Sequence, residues 1–168
     1  MGMGASLYSA IGAIIGVGAG LSLPALEAIR VRRALNLMAL SRMREIVDVL
    51  NVSRRLADVA NAAICGADGL EVYFEEVCNW SQIEHALRNI EGIELGSTSR
   101  RTNCAVAEAR RQVSAFFSLL RVAASEFQQT YEIRACVVTK LATSYHDLLK
   151  SIDCIEGECR CLDRKCGA

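Results

Sequence analysis

From Ala25 to Cys65 the chain has no glycine or proline, and apolar residues recur at the alternating three- and four-residue steps of a helix seam. Ala39, Met43, Ile46, Leu50, Ser53, Ala57, Ala60 and Ile64 form that seam, and Val49, Val52, Leu56, Val59 and Ala63 run beside it. The pair of stripes predicts a helix packed on more than one neighbour and ended by Gly66 and Gly69. Leu70, Tyr73, Phe74 and Val77 share one side of a short helical piece. Ser81 followed by Glu84 reads as a capping box, predicting a helix from Gln82 that carries Ile83, Leu87 and Ile90 inward and stops at Gly92. Residues 92–103 read as a loop. The most regular pattern comes next. Val106, Val113, Phe117, Leu120, Ala124, Phe127, Tyr131, Val138, Leu141, Tyr145, Leu148 and Ile152 all lie on one heptad frame, and only Arg110 and Arg134 interrupt its fourteen positions. With no Gly or Pro inside it, this frame predicts a single helix of about 70 Å, run antiparallel to the helix before residue 65. Arg134 is expected to pair with an acid across the seam or to snorkel outward. The fold class expected is all-α: an N-terminal apolar segment (1–24), a three- to four-helix bundle with two long antiparallel helices (25–153), and a Cys-rich tail (154–168).

The first segment has a different character. No charge occurs before Glu27, and Gly12, Gly16 and Gly20 recur every fourth residue. On a helix these glycines line one narrow groove that lets a second helix approach closely, which is how helices associate in lipid. Leu7 to Leu26 supplies 20 residues, about the length needed to cross a bilayer. The glycines weaken a helix in water by roughly 1 kcal/mol each, a penalty that matters less where unpaired backbone is far more costly. The basic cluster Arg30, Arg32 and Arg33 follows at once, and such clusters stay on the cytoplasmic side. This predicts a membrane-associated chain with its bulk in the cytoplasm, a lipid bilayer as partner and self-association through the glycine groove. Met1-Gly2-Met3-Gly4-Ala5-Ser6 also matches the pattern for a myristoyl group on Gly2. A secretory signal is the competing reading, but it lacks a basic start. In that case the chain would be a secreted, disulfide-linked helical protein, and the sequons at Asn51 and Asn79 would matter.

Composition narrows the rest. The 168 residues are 52% hydrophobic and 23% charged, enough to bury a core. The 19 basic and 19 acidic residues cancel, so nothing points to nucleic acid. Of the eight cysteines, Cys65, Cys78, Cys104 and Cys136 sit singly in helical sequence and read as small buried apolar residues. Cys154, Cys159, Cys161 and Cys166 are spaced C-x4-C-x-C-x4-C. They admit two local disulfides, reversible acylation, an unpaired terminus or a four-thiolate zinc site, although zinc is disfavoured because its ligand pairs are usually closer. His85 and His146 are far apart in sequence, and no phosphate loop is present, so no catalytic residue, small-molecule substrate or cofactor is assigned.

In outline, the glycine zipper at Gly12, Gly16 and Gly20 followed by a helical bundle resembles the HeLo-like cell-death domains, whose N-terminal glycine-rich helix enters membranes. That resemblance implies a pore-forming or membrane-remodelling activity controlled by the bundle. The Met1-Gly2 start and Ala/Gly-rich opening are similar to those of the myristoylated minor capsid proteins of small viruses, which implies instead a structural subunit with the apolar helix buried against partners.

Overall fold

The structure is a computed structural model that describes the backbone of residues 4–66, 69–94 and 99–167, with side chains from Ala25 onward. It is all-α. In chain order come α1 (Gly4–Cys65), α2 (Gly69–Val72), a π-helical turn (Tyr73–Val77), α3 (Trp80–Glu91), α4 (Arg100–Thr130) and α5 (Ala135–Gly167). The chain divides into two compact units, Met1–Met38 and Ala39–Ala168.

The second unit is a four-helix bundle whose order can be read from its cross-helix pairs. Arg44 meets Asp163 at 2.9 Å and Arg54 meets Asp153 at 3.2 Å, so the 39–65 part of α1 runs antiparallel to α5. Arg101 meets Glu158, and Phe116 packs on Tyr145, so α4 is antiparallel to α5 as well. Arg121 meets Glu84, and Arg110 donates to the carbonyl of Ile93, which sets α3 antiparallel to α4. Each helix therefore reverses the one before it, and α5 returns beside α1.

The middle of the seam expected on α1 is buried, with Met43, Ile46, Leu50, Ser53, Ala57 and Ala60 all inside, while its ends, Ala39 and Ile64, are half-buried. The second stripe is only half covered. Val49, Leu56 and Ala63 pack against the core, while Val52 and Val59 face solvent. Phe116, Phe117, Leu120, Leu141, Leu148, Ile152 and Ile155 supply the large side chains from α4 and α5.

The single helix expected over 106–152 is two helices. α4 ends at Tyr131, which adopts the left-handed conformation (φ 56°) and donates its N–H to the Phe127 carbonyl at 2.8 Å. The Thr130 hydroxyl donates to the carbonyls of Glu126 and Glu132, and Arg134 Nε donates to Glu126 Oε1 at 2.8 Å. The reversal uses no glycine or proline, and it consumes four residues, one step of the heptad frame. The apolar spacing thus stays in phase across a break that spacing cannot encode. Arg134, expected to meet an acid across a seam, meets one across a turn.

Two further boundaries differ from expectation. The N-cap of α3 is Asn79, whose side chain accepts from the Gln82 N–H at 3.2 Å, and Glu84 is engaged with Arg121 rather than in a capping box. The stretch expected as a separate tail continues α5 to Gly167, with Ile155 buried and Cys159 and Leu162 packed on the core.

The Ser53 hydroxyl is fully buried and has no hydrogen-bond partner among the described residues. A buried hydroxyl without a partner carries a desolvation penalty of about 1–3 kcal/mol. Ser53→Ala is therefore expected to stabilise the protein by about 1 kcal/mol, read as a higher urea midpoint at unchanged slope; a lower midpoint would show that the hydroxyl is satisfied in solution.

The turn generates a pH expectation. The Arg134 guanidinium holds the Glu126 carboxyl below its ordinary value, chiefly by hydrogen bonding. A depressed carboxylate contributes stability that is fully present above its unfolded pKa, about 4.3, and is lost as pH falls through the folded value. Wild type should thus exceed Glu126→Gln in thermal midpoint at pH 7, and the difference should vanish in strong acid. A difference that persists at pH 2 would remove the ion pair from the account.

Candidate functional site

Lipid-facing chemistry was expected of the first unit, and its described part, residues 25–38, has an unusual surface. Leu26, Ile29, Val31, Leu35, Leu37 and Met38 are all exposed, from 50% at Leu37 to 69% at Met38. At about 100° per residue, Leu26, Ile29 and Leu37 lie on one side of α1 and Val31, Leu35 and Met38 on nearly the opposite side. A helix on the surface of a globular protein carries one apolar stripe and one polar face. This stretch has no polar face, because the arginines are interleaved with the apolar residues. Arg30, Arg32 and Arg33 are exposed and make no ion pair with any described residue.

Gly12, Gly16 and Gly20 belong to the part of α1 whose packing lies outside the described residues, and Gly2 lies outside them altogether. Among the described residues no helix is long and apolar enough to cross a membrane.

All eight cysteines are free. α5 sorts the last four into two stripes. Cys154 and Cys161, seven residues apart, are exposed, while Cys159 and Cys166, with the same spacing, are half-buried. Partners five residues apart, Cys154 with Cys159 and Cys161 with Cys166, are separated by about 7.5 Å along the helix axis and those seven apart by about 10.5 Å, both beyond the span of a disulfide. The two local disulfides considered from the spacing are therefore not formed: they would need the backbone to turn where α5 runs on. Among the described residues no group of His, Cys, Asp and Glu is arranged to hold a metal. The four single cysteines also differ from expectation. Cys65, Cys104 and Cys136 are exposed, and only Cys78 is partly buried. Single cysteines between apolar stripes carry no signal of which way they point.

Several polar contacts were not legible in the sequence. Tyr145, read as a core position of the heptad frame, does pack its ring on Phe116, but its hydroxyl donates to Asp58 at 2.8 Å. Burial and the Asp58 carboxylate push the Tyr145 phenol up to about 12. Arg54 bridges Asp153 and Glu156 on α5. At the π-helical turn, closed by Cys78 N–H to Tyr73 carbonyl at 2.7 Å, the Tyr73 phenol and the Cys78 thiol are neighbours. Burial raises both groups, so neither is ionised at neutral pH and the thiol is not an activated nucleophile. His85 sits beside Asn89 on α3 and His146 beside Tyr145 on α5, with no acid–base partnership between them.

Compared with family models, curated proteins and solved structures, the chain matches none.

Thiol reactivity follows thiolate fraction and access. Under native conditions Cys65, Cys104, Cys136, Cys154 and Cys161 should be alkylated at rates near that of a free thiol, and Cys78 at least tenfold more slowly, as read by peptide mass spectrometry over time. Rapid labelling of Cys78 would contradict the packing of the π-helical turn.

Proposed function

We propose that this is a membrane-active helical protein whose N-terminal helix inserts into a bilayer and self-associates, anchoring, permeabilising or remodelling it, while the bundle stays on the cytoplasmic side. The observation that carries the reading is the exposed, arginine-interleaved apolar stretch from Leu26 to Met38. It is continuous with the uncharged opening of the chain. Apolar residues on two opposite sides of one helix are disfavoured in water and suit a helix surrounded by acyl chains or by other helices. Three arginines in the same stretch suit an anionic surface, each contributing about 1 kcal/mol of attraction. In this reading Gly12, Gly16 and Gly20 form the helix–helix contact, Arg30, Arg32 and Arg33 fix orientation, and a myristoyl group on Gly2 would add a second membrane signal. The same two-sided apolar surface supports a second reading, a subunit of a membrane-associated or viral assembly in which partner helices cover it.

Flotation and leakage assays with vesicles of phosphatidylcholine and phosphatidylserine separate the two. The full chain should float and release dye. Gly16→Leu/Gly20→Leu should lose leakage while keeping its helical circular dichroism. Replacing Arg30, Arg32 and Arg33 by Gln should weaken partitioning about 100-fold, from three arginines at about 1 kcal/mol each. Leakage that is unchanged in the glycine variant would sink the insertion mechanism, and a chain that neither floats nor leaks would favour the assembly subunit.

A further inference from the structure

The chain has four Phe, four Tyr and one Trp. Four of these nine rings converge on one cavity of about 240 Å³ at the α4–α5 turn end of the bundle, lined by Phe74, Trp80, Phe127 and Tyr131 together with Glu75 and Gln128. The rings form a continuous chain. Phe74 and Trp80 lie near-parallel with centroids 6.4 Å apart, Phe74 and Phe127 are 6.3 Å apart, and Phe127 and Tyr131 meet edge-on at 6.0 Å. Ala124, nearly buried, closes the side formed by α4.

The charge of this cavity is one-sided. Its lining includes no Lys or Arg, and Glu75 makes no ion pair with any described residue. Of the other acids at this end, Glu126 is bound by Arg134 and Glu84 by Arg121, while Glu76 and Glu132 make no ion pair with any described residue and do not line the cavity. An uncommitted carboxylate beside several π faces is complementary to one kind of ligand: a cation that is bulky, weakly hydrated and partly apolar. Aromatic faces attract such cations through the ring quadrupole when the charge lies within about 6 Å of a centroid. Ammonium or sodium would forfeit hydration here that the cavity does not replace, and a neutral apolar ligand would make no use of Glu75.

We infer that this cavity binds a quaternary or methylated ammonium ion, with Phe74, Trp80, Phe127 and Tyr131 as the aromatic walls and Glu75 as the counter-charge. The inference stands apart from the membrane reading, because it can be tested with soluble ions and either can fail without the other.

Trp80 is the one tryptophan of the chain, so its emission reports on the cavity alone. The full chain, kept soluble in an uncharged maltoside detergent, is titrated with tetramethylammonium and choline. A saturable change in emission with millimolar affinity is expected. The uncharged isostere 3,3-dimethyl-1-butanol should bind at least about fivefold more weakly, and Glu75→Gln should weaken choline by about fivefold. Tyr131→Asn removes one ring at a position where Asn tolerates the left-handed backbone, and should weaken choline similarly. Glu75 is exposed, so its variant keeps the test intact even if the Tyr131 variant loses the fold. No saturable response, equal affinity for the isostere, or unchanged affinity in Glu75→Gln would each overturn the assignment. With a response in hand, a short-chain phosphatidylcholine below its micellar concentration is compared with free choline. Tighter binding of the lipid assigns a headgroup as the source, and equal or weaker binding assigns a soluble ammonium.

Discussion

The bundle depends on one reversal of the chain, the four residues from Tyr131 to Arg134. α4 supplies all three core phenylalanines, α4 and α5 together supply half of the buried large aliphatic side chains, and the two helices meet only because the chain turns back there. The turn has neither of the residues that usually make one. It relies on a tyrosine in the left-handed region, a conformation that carries a penalty of about 1–2 kcal/mol for an L-residue. The Thr130 hydroxyl and the Glu126–Arg134 pair hold the chain on either side of that residue. The residue placed at the strained position is also the one whose ring meets Phe127. Tyr131, a core position of the heptad frame by its spacing, is nonetheless 76% exposed, so this edge contact offsets only part of the strain and the flanking hydrogen bonds hold the turn.

Much of the architecture was legible because helical burial has a period. The α1 seam from Met43 to Ala60 could be marked residue by residue, and so could Phe117, Leu120, Leu141, Leu148 and Ile152 on the other side of the core. Stop signals at Gly66 and Gly92 also corresponded to helix ends. The Tyr131 turn was invisible because its four residues equal one frame step. The Asn79 cap was missed for a related reason: Asn and Ser are equivalent caps, and only the fold decides which of two nearby candidates is used. The cysteine stripes on α5 depend on whether residues 154–167 are helical, and the C-x4-C-x-C-x4-C spacing is silent on that. The aromatic cavity gathers side chains from the π-helical turn, α3 and α4, so no window of sequence contains it.

The chain combines two surfaces with opposite solvent preferences. The bundle follows the rules of a protein in water: an apolar interior, cross-helix ion pairs on the outside, and capped helix starts at Asn79 and Ser99. The stretch from Leu26 to Met38 does not, since large apolar side chains project on both its sides. Nothing in the amino-acid composition separates these regions, because arginine and leucine are abundant in both. What separates them is angular order around the helix axis, which is present after Ala39 and absent from Ala25 to Met38.

Tyr131 serves two structures at once, ending α4 and walling the aromatic cavity. By mass action, any molecule that occupies that cavity only in the folded chain shifts the folding equilibrium toward the closed hairpin. Linkage is reciprocal, so whatever loosens the hairpin must lower the cavity's affinity by the same factor. Occupancy of a small surface cavity and cohesion of the whole bundle are in this way a single thermodynamic variable, read from opposite ends of one side chain.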